Sequence, residues 1–344
     1  MKPMTLSILL MSLAIGTTIT LSSYHWLLAW IGLEINTLAI IPLLTKNFHP
    51  RAVEAATKYF LTQAAASALI LFSCSYNAWE TGGWSLSYTM DPAAIILSIA
   101  LMMKLGLAPM HFWMPDVLQG APLSTGLVLS TWQKIAPLVL LLQISQHINL
   151  FVLTSVGITS ILIGGWGGIS QTQVRKILAF SSIGHLGWTV IILKFYPQLA
   201  IYSFVLYIVL TTAMFVSLMT LSSTNLTQIS TSWAKSPALT TSMVLVLLSL
   251  AGLPPLTGFS PKLLISLELV KQNTIFLVLL VSFASLLSLY FYLRLTYVIT
   301  LTLSPNTSNS LLMWRTLNKT YLPSALNILA IFAFPLTPTL ILLM

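Results

Sequence analysis

Charge is what this sequence has least of. Of its 344 residues only 6% are charged while 57% are hydrophobic, whereas a soluble domain carries roughly 25% charged residues. That scarcity excludes an ordinary water-soluble domain. Cysteine is nearly missing too: Cys74 stands alone, so the chain can neither close an internal disulfide nor ligate an iron–sulfur cluster. His25, His49, His111, His147 and His185 form no i,i+4 pair and no HExxH, so no metal site is visible. The net charge of +9 does not mark a nucleic-acid binder, because the basic residues are scattered singly apart from Arg175-Lys176. Gly164-Gly165 and Gly167-Gly168 flank Trp166 without a preceding strand or a following Lys-Ser/Thr; they suggest close helix packing, not a phosphate loop. No aromatic box for a quinone stands out either.

What the chain does have is long apolar runs. A crossing needs about 20 apolar residues, and the runs predict an all-α polytopic membrane protein, residues 1–344 forming a single integral membrane domain. About eleven spans are expected: 3–21, 24–45, 54–76, 91–118, 122–143, 149–168, 174–194, 198–222, 237–270, 274–299 and 322–343. Residues 4–21 after Lys2 imitate a signal peptide, but no small-residue cleavage site follows; they read as the first span. The connection 77–90, with Gly82-Gly83 among Trp and Tyr residues, suggests an interfacial hairpin. The connection 300–321 reads as a polar loop.

With that span count the loops alternate sides, and one side collects Lys2, Lys46, Arg51, Arg175, Lys176, Lys235, Arg315 and Lys319. The other holds Lys194 and Lys271 with Glu80 and Asp91. The positive-inside rule puts the amino terminus on the basic side. The N-x-S/T sequons at Asn225, Asn306 and Asn318 fall on that side too, where no glycosylating lumen is expected.

Two spans carry interruptions. Gly106-Leu107-Ala108-Pro109 breaks 91–118 and Gly252-Leu253-Pro254-Pro255 breaks 237–270. Proline removes a helical donor and clashes with the preceding turn, and broken backbone at membrane depth survives only against protein or a wet cavity. These are the fourth and ninth expected spans, so they run in opposite directions, as an inverted repeat requires. The pseudo-repeat halves are about 1–145 and 146–300, with a final span at 322–343.

Glu34, Lys104, Lys134 and Lys262 lie well inside spans, each on a different one. A charge at the centre of a membrane helix costs roughly 2.5–3.5 kcal/mol on insertion scales, so such residues are usually functional. Snorkelling to the interface explains Lys58 and Lys271 near span ends; it does not suit Lys104, Lys134 or Lys262, which have apolar sequence or a break on both sides. Burial loosens an amine's hold on its proton and a nearby carboxylate tightens it, so a buried lysine with a movable partner is a proton carrier. Glu34 is the carboxylate placed to be that partner. His111, just past the first break, and His185, one turn beyond Ser181 and Ser182, are candidate relays or helix-to-helix ties. Glu54, Asp116 and Glu268 lie near span ends and suit caps or rim contacts.

The stretches KLGLAPMHFWMPDVLQGAPLSTGLVLSTWQKIAP (104–137), VRKILAFSSIGHLGW (174–188) and AGLPPLTGFSPK (251–262) resemble the antiporter-like proton-pumping subunits of respiratory complex I, and length and the short amino terminus resemble the animal mitochondrial form. Bacterial members typically have fourteen spans, so the resemblance implies a chain shortened by three at its start. It further implies that Glu34 and Lys104 form a carboxylate–lysine pair, that Lys134 is the central relay, and that Lys262 is the lysine of the second broken helix. Protons would cross the mitochondrial inner membrane, with the amino terminus in the matrix. Flavin, iron–sulfur clusters and quinone would reside in partner subunits, so no cofactor is expected here. The expected partners are other membrane-arm subunits, including antiporter-like and small membrane ones, and membrane lipids such as cardiolipin, without nucleic acid. Two other readings stay open: a cation/proton antiporter of a non-redox complex, and a structural spacer whose charges hold helices in register.

Overall fold

The computed structural model describes residues 3–46, 49–86, 89–234, 236–301 and 321–339. Among these residues the regular structure is helical, and β pairing is limited to the isolated bridges His25–Ser85 and Gln173–Asn225. Contacts divide the chain into two compact units, Met1–Ser160 and Ile161–Met344. Seven helical stretches among the described residues are long and apolar enough to cross a membrane.

In the first unit the helices are α1 (Pro3–Ser22), α2 (Trp26–Leu44), α3 (Pro50–Thr81), α4 (Asp91–Leu105), α5 (Trp113–Gly120), α6 (Leu123–Ser130) and α7 (Trp132–Ile144). Their starts are chemically marked. The Nδ1 atoms of His25 and His49 accept from the amides of Leu27 and Arg51, each at 3.2 Å, capping α2 and α3. Pro50 occupies the first turn of α3, where a missing N–H costs nothing. α1 and α2 meet through glycine: a Cβ on Gly32 would sit 2.8 Å from the Gly16 carbonyl oxygen. Without side chains there, the two backbones pack directly, as small residues permit in membranes.

Residues 77–90 depart from a simple hairpin. α3 continues to Thr81 and ends at Gly82, whose φ of 71° is left-handed. Trp84 and Leu86 then pair with the α1–α2 link, the Trp84 carbonyl accepting from the Trp26 amide at 3.0 Å and the Leu86 amide donating to the Tyr24 carbonyl at 3.2 Å.

The expected span 122–143 is interrupted at Thr131, where φ and ψ are −114° and −68°. Pro137 supplies a cause: it has no N–H for the Gln133 carbonyl, and its ring crowds that carbonyl. Lys134 thereby comes to lie in the first turn of α7.

After α8 (Leu150–Ile169), the second unit contains α9 (Val174–Ile192), α10 (Pro197–Leu221), α11 (Leu226–Ser230), α12 (Pro237–Ala251), α13 (Phe259–Lys271), α14 (Ile275–Leu301) and α15 (Tyr321–Phe332). The glycine run does serve close packing. A Cβ on Gly164 would stand 2.8 Å from the Gly184 nitrogen of α9, and one on Gly165 would stand 2.6 Å from the Leu287 Cβ of α14. Arg294 of α14 donates to the carbonyl of Ile169 that ends α8. α10 packs on α9 and α15, and α12 on α14. Lys2, Lys235, Arg315 and Lys319, the sequons at Asn306 and Asn318, nearly all of the 300–321 loop and the last residues of the expected span 322–343 lie outside the described residues.

Candidate functional site

In the first unit α4 stops at Leu105 because Gly106 turns left-handed, with φ of 77°. The chain then passes through Ala108 and Pro109 and resumes as α5 at Trp113. Lys104 occupies the last turn of α4, where unpaired carbonyls favour a cation. It is buried, 5% exposed, and its Nζ has no hydrogen-bond partner among the described residues. Lys134 is buried more deeply, at 2% exposure.

The two lysines line one small cavity of about 10 Å³, together with Thr37, Tyr59, Gln63, Trp113 and Gln133. That volume is close to the minimum for one water molecule. Glu34 of α2 reaches this cavity through Thr37, whose hydroxyl donates to its own-helix carbonyl at 2.8 Å and stands 3.1 Å from Glu34 Oε2. Among the described residues Glu34 and Lys104 make no direct ion pair within 4 Å. Gln133 Nε2 donates to the Asn36 carbonyl at 3.2 Å, tying α7 to α2 beside the cavity.

The second unit repeats the theme with different bookkeeping of residues. α12 stops at Ala251, Gly252 turns left-handed at φ 82°, and α13 begins at Phe259. Here the lysine follows the interruption: Lys262 lies in the first turn of α13. Its Nζ returns to donate to the Ala251 carbonyl at 2.7 Å. A second cavity of about 10 Å³ holds Lys262, His185, Ser181, Ser288 and Tyr292. His185 Nε2 lies 3.5 Å from the Tyr292 hydroxyl.

The structure thus gathers Lys104, Lys134 and, through Thr37, Glu34 in one unit, and Lys262 with His185 in the other. His111 joins neither lysine cavity; it is buried in the α4–α5 connection with its Nδ1 3.2 Å from the Pro109 carbonyl oxygen. Thr37, Tyr59, Gln63, Gln133 and Tyr292 were not singled out from sequence. The i,i+3 spacing of Glu34 and Thr37 was a readable signal, since such residues share a helix face; the others look like ordinary polar side chains until the helices are packed. Lys58, expected to snorkel, instead contacts two carboxylates, Asp116 Oδ2 at 2.7 Å and Glu54 Oε1 at 2.8 Å. Among the described residues no three His, Cys, Asp or Glu side chains converge as a metal site would need.

The NADH:quinone oxidoreductase/Mrp antiporter transmembrane family matches residues 23–288, and the NADH dehydrogenase subunit 2 C-terminus family matches 289–341. The chain belongs to the NADH:quinone oxidoreductase/Mrp antiporter family. NADH-ubiquinone oxidoreductase chain 2 of Aquarana catesbeiana is 69% identical over 344 residues, covering all of both chains. The protein of the same name from Xenopus laevis is 57% identical over 98% of this chain and 99% of its own. Among solved structures, a chain of respiratory complex I from Thermus thermophilus with bound aureothin superposes with a TM-score of 0.84 at 27% identity, over 97% of this chain and 78% of that one. A chain of the Mrp complex from Dietzia sp. DQ12-45-1b gives 0.81 at 17% identity, over 97% and 75%, a likeness of fold.

Proposed function

We propose that this chain is the antiporter-like, proton-translocating subunit of a mitochondrial respiratory complex I, named chain 2 in its relatives. One observation carries the mechanism: two buried lysines line a single cavity just large enough for one water, and a threonine hydroxyl links that cavity to a carboxylate. In the step envisaged, the Lys104 ammonium gives its proton to the neutral Lys134 amine through a bridging water, so one N–H bond breaks as another forms. The Glu34 carboxylate sets the balance, holding the charge on Lys104 when close and releasing it when its field weakens. Lys262, with His185 and Tyr292 beside it, forms a second proton-holding site in the other unit.

The finer architecture belongs to this reading. About eleven crossings are proposed, α4 with α5 and α12 with α13 each forming one interrupted crossing. The pseudo-repeat halves are about 1–145 and 146–300. The chain would lie in the mitochondrial inner membrane with its amino terminus in the matrix, among other membrane-arm subunits and lipid. NADH oxidation and quinone reduction would take place in partner subunits, with no flavin, cluster or quinone held here. The family membership and the high identity to the vertebrate chains support this reading.

Lys104→Met in the assembled complex tests it, with protons moved per electron as the measurement. Redox-driven pumping should be lost while the complex still assembles; wild-type pumping by an assembled Lys104→Met complex would overturn the assignment. A spacer would also tolerate exchange of Glu34 and Lys104, whereas a relay would not.

A further inference from the structure

α3 and α5 run antiparallel in the first unit, and their seam has three rungs. At the outer rung Gly120 lies against the first turns of α3: a Cβ there would stand 2.7 Å from the Ala55 Cβ and 2.5 Å from the Arg51 carbonyl oxygen. At the middle rung Lys58 bridges Asp116 of α5 and Glu54 of α3 at 2.7 and 2.8 Å. At the inner rung Tyr59 meets Trp113 edge-on, with ring centroids 5.7 Å apart. Tyr59 and Trp113 are also walls of the cavity that holds Lys104 and Lys134.

The outer two rungs enclose a second space, about 120 Å³, lined by Arg51, Glu54, Lys58, Asp116, Gln119 and Gly120. It has room for several waters. The Lys58, Glu54 and Asp116 side chains are 42%, 60% and 43% exposed, so this space opens at the surface of the chain. At the inner end of the same seam stands the Lys104 amine, 5% exposed and without a hydrogen-bond partner among the described residues. A half-exposed carboxylate pair at one end and a buried, unpartnered amine at the other are the two ends of a proton-loading route.

We propose that Glu54, Lys58 and Asp116 form the loading station through which a proton from the aqueous phase reaches Lys104, with the Tyr59–Trp113 contact as its inner limit. The Asp116 or Glu54 carboxylate takes a proton from hydronium, leaving water. The acid then gives that proton up along the seam past the Tyr59 hydroxyl and Gln63, and the neutral Lys104 amine accepts it. The net change is one proton moved from water to the amine. Lys58 holds the two carboxylates together; Gly120 lets α5 come near enough for Asp116 to reach it. The trio is exposed, and exposed ion pairs add little to a fold.

This inference rests on the proton path through Lys104, and the test separates the two. Assembled complexes carrying Asp116→Asn, Asp116→Glu, Glu54→Gln, Lys58→Met/Asp116→Asn and Lys104→Met are reconstituted in proteoliposomes. The rate of redox-driven proton transport is then measured in H₂O and D₂O. Asp116→Asn should slow transport about tenfold and enlarge the isotope effect, Asp116→Glu should recover at least half the rate, and Glu54→Gln should fall about threefold. Wild-type transport and isotope effect in assembled Asp116→Asn would overturn the proposal. So would full recovery in the Lys58→Met/Asp116→Asn variant, which would make the bridge merely structural. Should Asp116→Asn fail to assemble, Glu54→Gln decides alone, an unchanged rate and isotope effect overturning it. Normal pumping by Lys104→Met would instead sink the path on which it rests; a silent Lys104→Met beside normal Asp116→Asn and Glu54→Gln would sink the loading station only.

Discussion

The Lys262 ammonium donates a hydrogen bond to the Ala251 carbonyl oxygen at 2.7 Å. Ala251 ends α12, so the amine completes a helix terminus whose last carbonyls have no intrahelical partner. Gly252 makes room for it: a Cβ there would stand 2.8 Å from Lys262 Nζ, and its φ of 82° disfavours any side chain. Gly252→Ala should therefore cost about 1–2 kcal/mol from backbone conformation alone and push the amine off the carbonyl. A lower thermal midpoint of the complex, with pumping impaired beyond the loss of assembled material, is the expected result.

The Thr37 hydroxyl joins Glu34 to the cavity of Lys104 and Lys134. Thr37→Val keeps the shape and removes the hydrogen bond, worth about 0.5–1.5 kcal/mol. Proton transport should fall severalfold with assembly unchanged. Thr37→Ser, which keeps the hydroxyl, should retain most of the rate.

Tyr292 stands 3.5 Å from His185 within the Lys262 cavity. Tyr292→Phe deletes the hydroxyl and leaves the ring in place. A slower proton-transport rate at normal complex content is expected, and comparison with His185→Gln will show whether the two act together: as one relay, the double variant should be no slower than the worse single one.

Gly164→Val tests packing in place of chemistry. The first added carbon would already stand 2.8 Å from the Gly184 nitrogen and from the Phe180 carbonyl oxygen. Both neighbours are backbone, so the helices themselves must move apart. A loss of about 1–3 kcal/mol is expected from such overpacking, seen as a drop in thermal stability or in assembled complex.

Much of this was legible in the sequence because lipid makes polar groups conspicuous. Lys104, Lys134 and Lys262 could be picked out since an amine among apolar residues has few innocent explanations. The stops at Leu105 and Ala251 were legible from Gly106 and Gly252, residues that tolerate a left-handed turn. The interruption at Thr131 was not, because Pro137 marks a missing hydrogen bond one turn back and leaves the response of the helix to tertiary packing. Thr37, Tyr59 and Gln63 were missed for a related reason: a hydroxyl or amide in a helix commonly satisfies itself locally, and only the approach of a second helix gives it another task. Lys58 looked like a snorkelling side chain because its partner Asp116 lies on another helix.

Lys104 precedes its glycine turn and lies in the last turn of the helix that stops there, whereas Lys262 follows its own and reaches back to the carbonyl end of α12. What the two units hold in common is an electrical address, a cation where a helix runs out of donors, and not a position in an aligned register. Setting Gly106 on Gly252 residue by residue places Lys104 opposite Leu250 and Lys262 opposite Asp116, and reports divergence. Two units of a membrane protein can therefore share chemistry without sequence correspondence, and a search for hidden repeats does better to match helix ends and buried charges than letters.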